Sequence, residues 1–329
     1  MTKLRWGVLG VAKIAVEKVI PAMQRGKWLA VTAIASRDHA KADAAAATLG
    51  IATAYGSYEA LLADPEIDAV YIPLPNHLHV PWTIRAAEAG KHVLCEKPIG
   101  LNADEARRLL EVRDRTRVQI QEAFMVRAHP QWVKARELVR DGEIGALRSM
   151  LWHFSYFNDA PSNIRNIAAF GGGGLLDIGC YLINTGRFVF DREPDRVMGL
   201  IERDPALQVD RITSLLLDFG SGHLAGTCST QMTPYQRVHI FGTRGRIEIE
   251  IPVNAPPDRP SRLFVTEGTR VTTIEVPICD QYTIQGDLFS QAVLEGRPTP
   301  IPLDDAVANM MCIDAVFRST ATGRWEAPI

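Results

Sequence analysis

At 329 residues the chain is long enough for two domains, each with its own core. Its 36 basic and 38 acidic side chains leave a formal charge of -2, which offers no electrostatic footprint for nucleic acid or for an anionic membrane. The five cysteines (Cys95, Cys180, Cys228, Cys279 and Cys312) are odd in number and show no C-x-x-C spacing, so a reducing cytoplasm is expected rather than a disulfide framework or a zinc centre.

In chain order, Leu4 to Leu9 reads as a strand, leaving no room for a signal peptide ahead of it. A helix is predicted over Ala15–Arg25, a strand over Leu29–Ala35 and an Ala-rich helix over Ala40–Leu49, ended by Gly50. Tyr58–Leu62 starts a helical segment that Asp64-Pro65 breaks. Ala69–Pro73 is a strand, Val80–Ala89 a helix, His92–Cys95 a strand, and Asn102 caps a helix over Ala103–Arg113. This alternation predicts an α/β class, a doubly wound parallel sheet over residues 1–123. From 124 to 329 the pattern changes to α+β. Helices are predicted over Val133–Arg140, Leu176–Val189 and Asp304–Arg318. Strands are predicted over Val197–Glu202, Ile212–Phe219, His223–Gln231, Arg237–Phe241, Arg246–Ile251, Arg262–Val265 and Val271–Val276. Consecutive strands joined by short Gly turns imply a mostly antiparallel open sheet. No apolar run exceeds strand length, so no membrane span is expected.

The turn after the first strand, Gly10-Val11-Ala12-Lys13-Ile14-Ala15, resembles a dinucleotide fingerprint. Gly10 suits the tight turn and Ala15 the helix–sheet contact, while Ala12 stands where the middle glycine is usual. The second strand ends in Ser36-Arg37, with Asp38 one step too late to take a ribose hydroxyl. A hydroxyl beside a guanidinium suits a 2′-phosphate, so NADP is the cofactor expected over NAD. Further along, His92-Val93-Leu94-Cys95 runs directly into Glu96-Lys97-Pro98. A lysine that close to a sheet core asks for a partner, and X-Pro is the common route to a cis bond in a tight turn.

Together with Leu74-Pro75-Asn76-His77-Leu78-His79, the segment 122–131, Asn163-Ile164-Arg165 and Gly172-Gly173-Gly174-Leu175-Leu176-Asp177-Ile178-Gly179-Cys180-Tyr181, these residues resemble the glucose–fructose oxidoreductase/inositol dehydrogenase family (Gfo/Idh/MocA) over essentially the whole chain. The resemblance implies a cis Lys-Pro bond, with Lys97 near nicotinamide and substrate. It implies cofactor contacts from Gly10 to Ile14, Ser36, Arg37, Leu74, Pro75, Asn76, His79, Glu96, Lys97, Arg127 and Arg165. Phe124 and Asp177 are the further substrate candidates, and related proteins dimerise through the second sheet. Inositol dehydrogenase-like members carry histidine where this chain has Tyr181. Tyrosine there resembles the branch of NADP-dependent xylose and glucose dehydrogenases and dimeric dihydrodiol dehydrogenase. Lacking the export signal and N-terminal arm of glucose–fructose oxidoreductase, the chain is expected to release NADPH at each turnover.

Oxidising a sugar hydroxyl needs a base for the proton while hydride leaves carbon. A free tyrosine, with a pKa of about 10, is a poor base at neutral pH, and a nearby ammonium favours its phenolate. Tyr181 is therefore expected as acid/base and Lys97 as its electrostatic partner, with Glu96 holding Lys97 and Asp177 binding a sugar hydroxyl. No metal is expected, since His77 and His79 have no nearby carboxylate or cysteine to complete a site. Trp152, Phe154, Tyr156 and Phe157 are pocket candidates whose faces depend on strand register. The expected activity is NADP-dependent oxidation or reduction of an aldose such as xylose or glucose. The alternatives are a trans-dihydrodiol dehydrogenase using the same residues and a nucleotide-responsive regulator. A regulator is expected to lose Lys97 or Tyr181, and both are present.

Overall fold

The apolar runs β1 (Leu4–Leu9), β2 (Leu29–Ala35), β4 (Ala69–Ile72) and β5 (His92–Cys95) have the composition of strands covered on both faces. A computed structural model, describing residues 2–329, pairs them in parallel with two short strands the sequence did not announce, β3 (Thr53–Tyr55) and β6 (Ile120–Glu122). The order is β3-β2-β1-β4-β5-β6. Strands of three residues are too short to show a period, which is why pattern reading passes over them. Helices α1 (Ile20–Gln24), α2 (His39–Leu49), α3 (Tyr58–Leu62), α4 (His79–Glu88) and α5 (Ala103–Thr116) connect the strands. Strand order reverses beside β1, so the carboxyl ends of β1, β2, β4 and β5 flank the crevice where such sheets take ligands.

The second unit is built on α6 (Pro130–Arg140), β7 (Leu147–Phe157), a π-helical turn at Leu175–Gly179 that runs into α7 (Cys180–Phe190), and strands β8 (Arg196–Arg203), β9 (Asp210–Asp218), β10 (His223–Ser229), β11 (Gln231–Gly242), β12 (Gly245–Ile249), β13 (Ser261–Glu267) and β14 (Arg270–Val276). Their order is β14-β13-β12-β11-β7-β10-β9-β8, antiparallel throughout except for the β7–β10 pair. The strand β7 is a correction to the sequence reading. Apolar residues on both faces (Leu151 outward; Met150, Trp152 and Phe154 inward) hide the alternation that marks a half-buried strand. Its register also settles the aromatics: Trp152 and Phe154 are buried, and the Trp152 indole donates to Thr185 Oγ1 on α7 at 2.9 Å, whereas Phe157 is exposed at the strand end. The sheet's outer face bears a shallow concavity of about 700 Å³, lined among others by Leu151, Met198, Leu200, Leu216 and Tyr235.

The tail of the chain carries a second correction. Helix α8 (Gln281–Leu294), unannounced by the sequence, packs on β1: Trp6 is fully buried, its indole donates to Ser290 Oγ at 3.0 Å, and its ring meets Phe289 at 5.2 Å. The carboxylate of Asp287 accepts the N–H groups of Lys27 and Trp28 at the entry to β2. The compact units are therefore residues up to Met125 with Asp280–Val307, and Val126–Cys279 with Ala308–Ile329, rather than 1–123 and 124–329. A parallel sheet needs both faces covered, and α8 returns to supply that cover. Its buried positions are Gln281, Gln285, Gly286 and Ser290 as well as Phe289 and Ala292, so no continuous apolar stripe betrays it. Helix α9 (Leu303–Thr322) closes the chain.

Candidate active site

In the first unit the expected residues gather at the carboxyl ends of four adjacent strands. Gly10 has φ +112°, and its N–H donates to the Ala35 carbonyl at 2.8 Å. A Cβ there would stand 3.0 Å from Leu74 Cδ2 and 3.6 Å from the Tyr58 hydroxyl, so glycine leaves room where three loops converge. The helix that follows opens with a π-helical turn at Ala15–Val19, anchored by fully buried Ala15. Val11, Ala12 and Ile14 are partly buried and Lys13 is exposed, giving a small-residue cradle at a helix start.

At the end of β2, Ser36 is buried; its N–H donates to Tyr55 and its hydroxyl accepts from the Asp38 N–H. Asp38 caps α2 by accepting the Lys41 N–H. Arg37 is exposed near the Tyr58 hydroxyl; burial, partly offset by the Arg37 charge, holds that hydroxyl above its ordinary pKa. Tyr58 went unnoticed in the sequence because nothing in its spacing links it to Arg37.

The Lys97-Pro98 bond is cis, and Lys97 is half-buried. Three side chains fix its turn. Buried Glu122 accepts the Ile99 N–H at 2.7 Å. Buried Tyr71 donates to Glu96 at 2.6 Å; burial first, and then the Glu96 carboxylate, hold the Tyr71 hydroxyl protonated. His79, 1% exposed, lies with its two ring nitrogens each 2.7 Å from a carbonyl oxygen, Leu74 on one side and Pro98 on the other. Only an imidazolium donates to both. Burial above all, with a contribution from Lys97, pushes its pKa down to about 4, against the two carbonyls, which favour the protonated ring. His79, expected at the cofactor, is thus turned inward and ties the loop after β4 to the lysine turn. Phe124, expected at the substrate, is fully buried and belongs to the packing after β6. Pro75 and Asn76 are half-buried in the loop between β4 and α4.

In the second unit the glycine motif is explained by close approaches. A Cβ on Gly172 would stand 2.5 Å from the Arg165 carbonyl, and the Gly173 N–H donates to that same carbonyl at 2.8 Å. A Cβ on Gly179 would stand 2.9 Å from Cys228 Sγ on β10. These contacts join the Asn163-Ile164-Arg165 segment to the motif and set Asp177 in the π-helical turn. The Asp177 carboxylate accepts from Tyr156 at 2.5 Å and from Arg165 Nε at 3.0 Å. Burial and the Asp177 charge push the Tyr156 hydroxyl far above its ordinary pKa, so it serves as a fixed donor. Arg165, expected at the cofactor, is held on Asp177 instead. Tyr181, 4% exposed on α7, has its ring 6.2 Å from Phe154. Arg127 packs against the next turns of the same helix, its guanidinium 4.4 Å from the Phe188 ring and 3.4 Å from Asn184 Oδ1. The two units thus offer, respectively, a tight turn of small residues with a restrained lysine, and an oriented carboxylate one turn from a tyrosine. The concavity on the outer face of the second sheet includes none of these residues. Among the described residues no three His, Cys, Asp or Glu side chains gather as a metal site, and no helix is long and apolar enough to cross a membrane.

Comparison with known proteins agrees with this layout. The model of the Gfo/Idh/MocA oxidoreductase family, NAD-binding Rossmann fold, matches residues 4–124, and that of the family's C-terminal domain matches 132–248. An uncharacterized oxidoreductase of Rhizobium meliloti is 48% identical over 99% of both chains. An NADP(+) D-xylose 1-dehydrogenase of Haloferax volcanii is 41% identical over 97% of this chain and 98% of its own. Among solved structures, the 3-ketoreductase of Actinomadura kijaniata in complex with NADP and TDP-benzene superposes with a TM-score of 0.91 at 30% identity, covering 97% of this chain and 98% of its own. That reductase has also been solved with a tyrosine changed to phenylalanine and with a lysine changed to alanine.

Proposed function

This chain belongs to the Gfo/Idh/MocA oxidoreductase family, and from that premise we propose that it is an NADP-dependent oxidoreductase acting on a sugar hydroxyl or carbonyl, an aldose such as xylose. The carrying observation is the Lys97 turn, pinned by Glu122, Tyr71 and His79 at the carboxyl end of β5. The cradle fits the cofactor. Gly10 keeps the first turn open, and Ser36 and Arg37 present a hydroxyl and a guanidinium where a 2′-phosphate would lie, with Leu74, Pro75 and Asn76 along the nicotinamide side. When bound, NADP supplies the nicotinamide that takes or returns the hydride.

The chain's own residues handle the proton. Lys97 donates a hydrogen bond to the reacting oxygen and offsets the charge that develops there. Tyr181 takes the proton of the substrate hydroxyl as its phenolate, favoured by the Lys97 ammonium, and returns it as the phenol in reduction. Asp177, oriented by Tyr156 and Arg165, accepts a second sugar hydroxyl. The test is NADP reduction with D-xylose, D-glucose and a cyclic trans-diol assayed side by side. Oxidation of a sugar is expected. Faster turnover of the trans-diol would transfer the substrate class to cyclic alcohols. Tight NADP binding without reduction by any of the three would overturn these substrates and point to another substrate or to the regulator.

The second sheet's outer face supports a homodimer. Leu200 is 74% and Leu151 46% exposed there, and Arg237 pairs with Glu248 at 3.2 Å beside them, so the face carries apolar area with both signs of charge at its flank. Exposed apolar area of this kind suits association, and a two-fold axis would set the same patch of two copies face to face. Leu151→Glu is expected to give a monomer by light scattering while the parent runs as a dimer; a monomeric parent at micromolar concentration would rule the dimer out. The buried thiols Cys95, Cys180, Cys228 and Cys312 suit a reducing compartment, which we take to be the cytoplasm.

A further inference from the structure

The glycine run before Asp177 and Tyr181 has a partner far away in the chain, Asp210, the first residue of β9. Asp210 is 1% exposed. Its Oδ2 accepts the Leu175 N–H at 2.6 Å and the Thr213 hydroxyl at 2.9 Å. Gly173, at φ +118°, has no room for a side chain: a Cβ would stand 1.9 Å from Asp210 Oδ1, and one on Gly174 would stand 3.4 Å from Oδ2. The motif's middle glycine therefore lets a buried carboxylate reach the backbone. Leu175 opens the π-helical turn, where N–H groups have no partner within the helix, and Asp210 accepts one of them.

We infer that Asp210 is a positioning residue, a buried carboxylate latch on the start of the segment that carries Asp177 and Tyr181. Its consequence for turnover rests on the proposed role of Tyr181; the latch itself does not.

A carboxylate placed for stability alone would not be kept ionised here. Burial, opposed by the bonds from Leu175 and Thr213, pushes its pKa up to about 6. Arg203 on β8 and Cys228 on β10 are the charged or titratable groups that act on it, and Cys228 in turn feels Asp177 and Cys180 on the latched segment. A carboxyl raised above its unfolded value stabilises the fold fully below a pH of about 4, and that contribution is lost as pH rises through the folded pKa. At neutral pH the ionised Asp210 thus lowers stability while serving as the stronger acceptor for Leu175. A merely structural aspartate and a positioning one part company on this point.

The experiment compares the full-length parent, Asp210→Asn and Thr213→Val. It follows hydrogen exchange over residues 173–181 at one fixed pH, melting at pH 8, and the pH profile of kcat/KM for D-xylose with NADP. Asp210→Asn is expected to speed exchange in that segment about tenfold or more, to melt no lower than the parent, and to lower kcat about 10- to 100-fold with KM for NADP unchanged. The parent's acid limb near pH 6 should disappear with it. Thr213→Val removes one hydrogen bond to the ionised carboxylate, so it should move that limb to higher pH, and it decides the matter if Asp210→Asn does not fold. Unchanged exchange over 173–181, or an acid limb that stays in place in Thr213→Val, overturns the proposal. If the parent oxidises no sugar, the functional reading fails and the exchange result alone decides the latch.

Discussion

Changing Tyr181 to phenylalanine is expected to lower kcat for sugar oxidation about a thousandfold, the middle of the range for losing a general acid/base group, while NADP still binds. The substitution is close to a single-atom deletion. Tyr181 is buried on α7 with its ring against Phe154, and phenylalanine keeps that contact. Lys97→Ala should cost a comparable factor, because it removes the donor and the positive charge at the reacting oxygen. Lys97→Arg should not restore the rate, since a planar fork cannot take the place of a compact ammonium in a turn pinned by Glu122, Tyr71 and His79. Loss of an interaction made only in the transition state lowers kcat and kcat/KM alike, which separates this from weaker sugar binding. Steady-state kinetics beside a fluorescence titration of NADPH make the measurement. Turnover within a few-fold of the parent in either variant would remove that residue from the chemistry.

Much of this site is legible in the sequence because its signals are local. A tight turn at Gly10, a hydroxyl and guanidinium at Ser36-Arg37, and a lysine before Pro98 each declare themselves within a few residues. The structure adds what those signals cannot hold, namely the partners. Gly172 and Gly173 are visible as a glycine run, yet their reason is the backbone of Arg165 and the carboxylate of Asp210, which no spacing rule connects. His79 reads as a site histidine because it lies in a motif, but both ring nitrogens face backbone carbonyls and its work is to hold two loops. Arg165 reads as a cofactor residue and instead orients Asp177. The fold shows the same division. Strands with one dominant pattern are found, whereas β7 is masked by apolar residues on both faces and α8 by polar residues on its buried one. In each case tertiary contacts, not intrinsic preference, decide the outcome.

Cofactor choice should turn on Arg37. Arg37→Ala is expected to reduce kcat/KM for NADP about a hundredfold, because hydrogen bonds to a charged group contribute about 1.5–3 kcal/mol each and 1.4 kcal/mol is a factor of ten. The same variant should leave kcat/KM for NAD nearly unchanged, since the two cofactors differ only in the 2′-phosphate. Two neighbours sharpen the expectation. Asp38 caps the N-terminus of α2, which draws its carboxylate toward the helix and away from the bare ribose of NAD. The Tyr58 hydroxyl lies within the influence of the guanidinium, so Tyr58→Phe should give a smaller loss in the same direction, by letting Arg37 wander. The ratio of the two kcat/KM values isolates the 2′-phosphate from every contact the cofactors share, including those at Gly10 and Lys97. A ratio that survives Arg37→Ala would mean that another group reads the phosphate, with exposed Lys13 in the first turn the next to test. A ratio that collapses with kcat intact would place discrimination at the end of β2, remote from the lysine and tyrosine that move the proton.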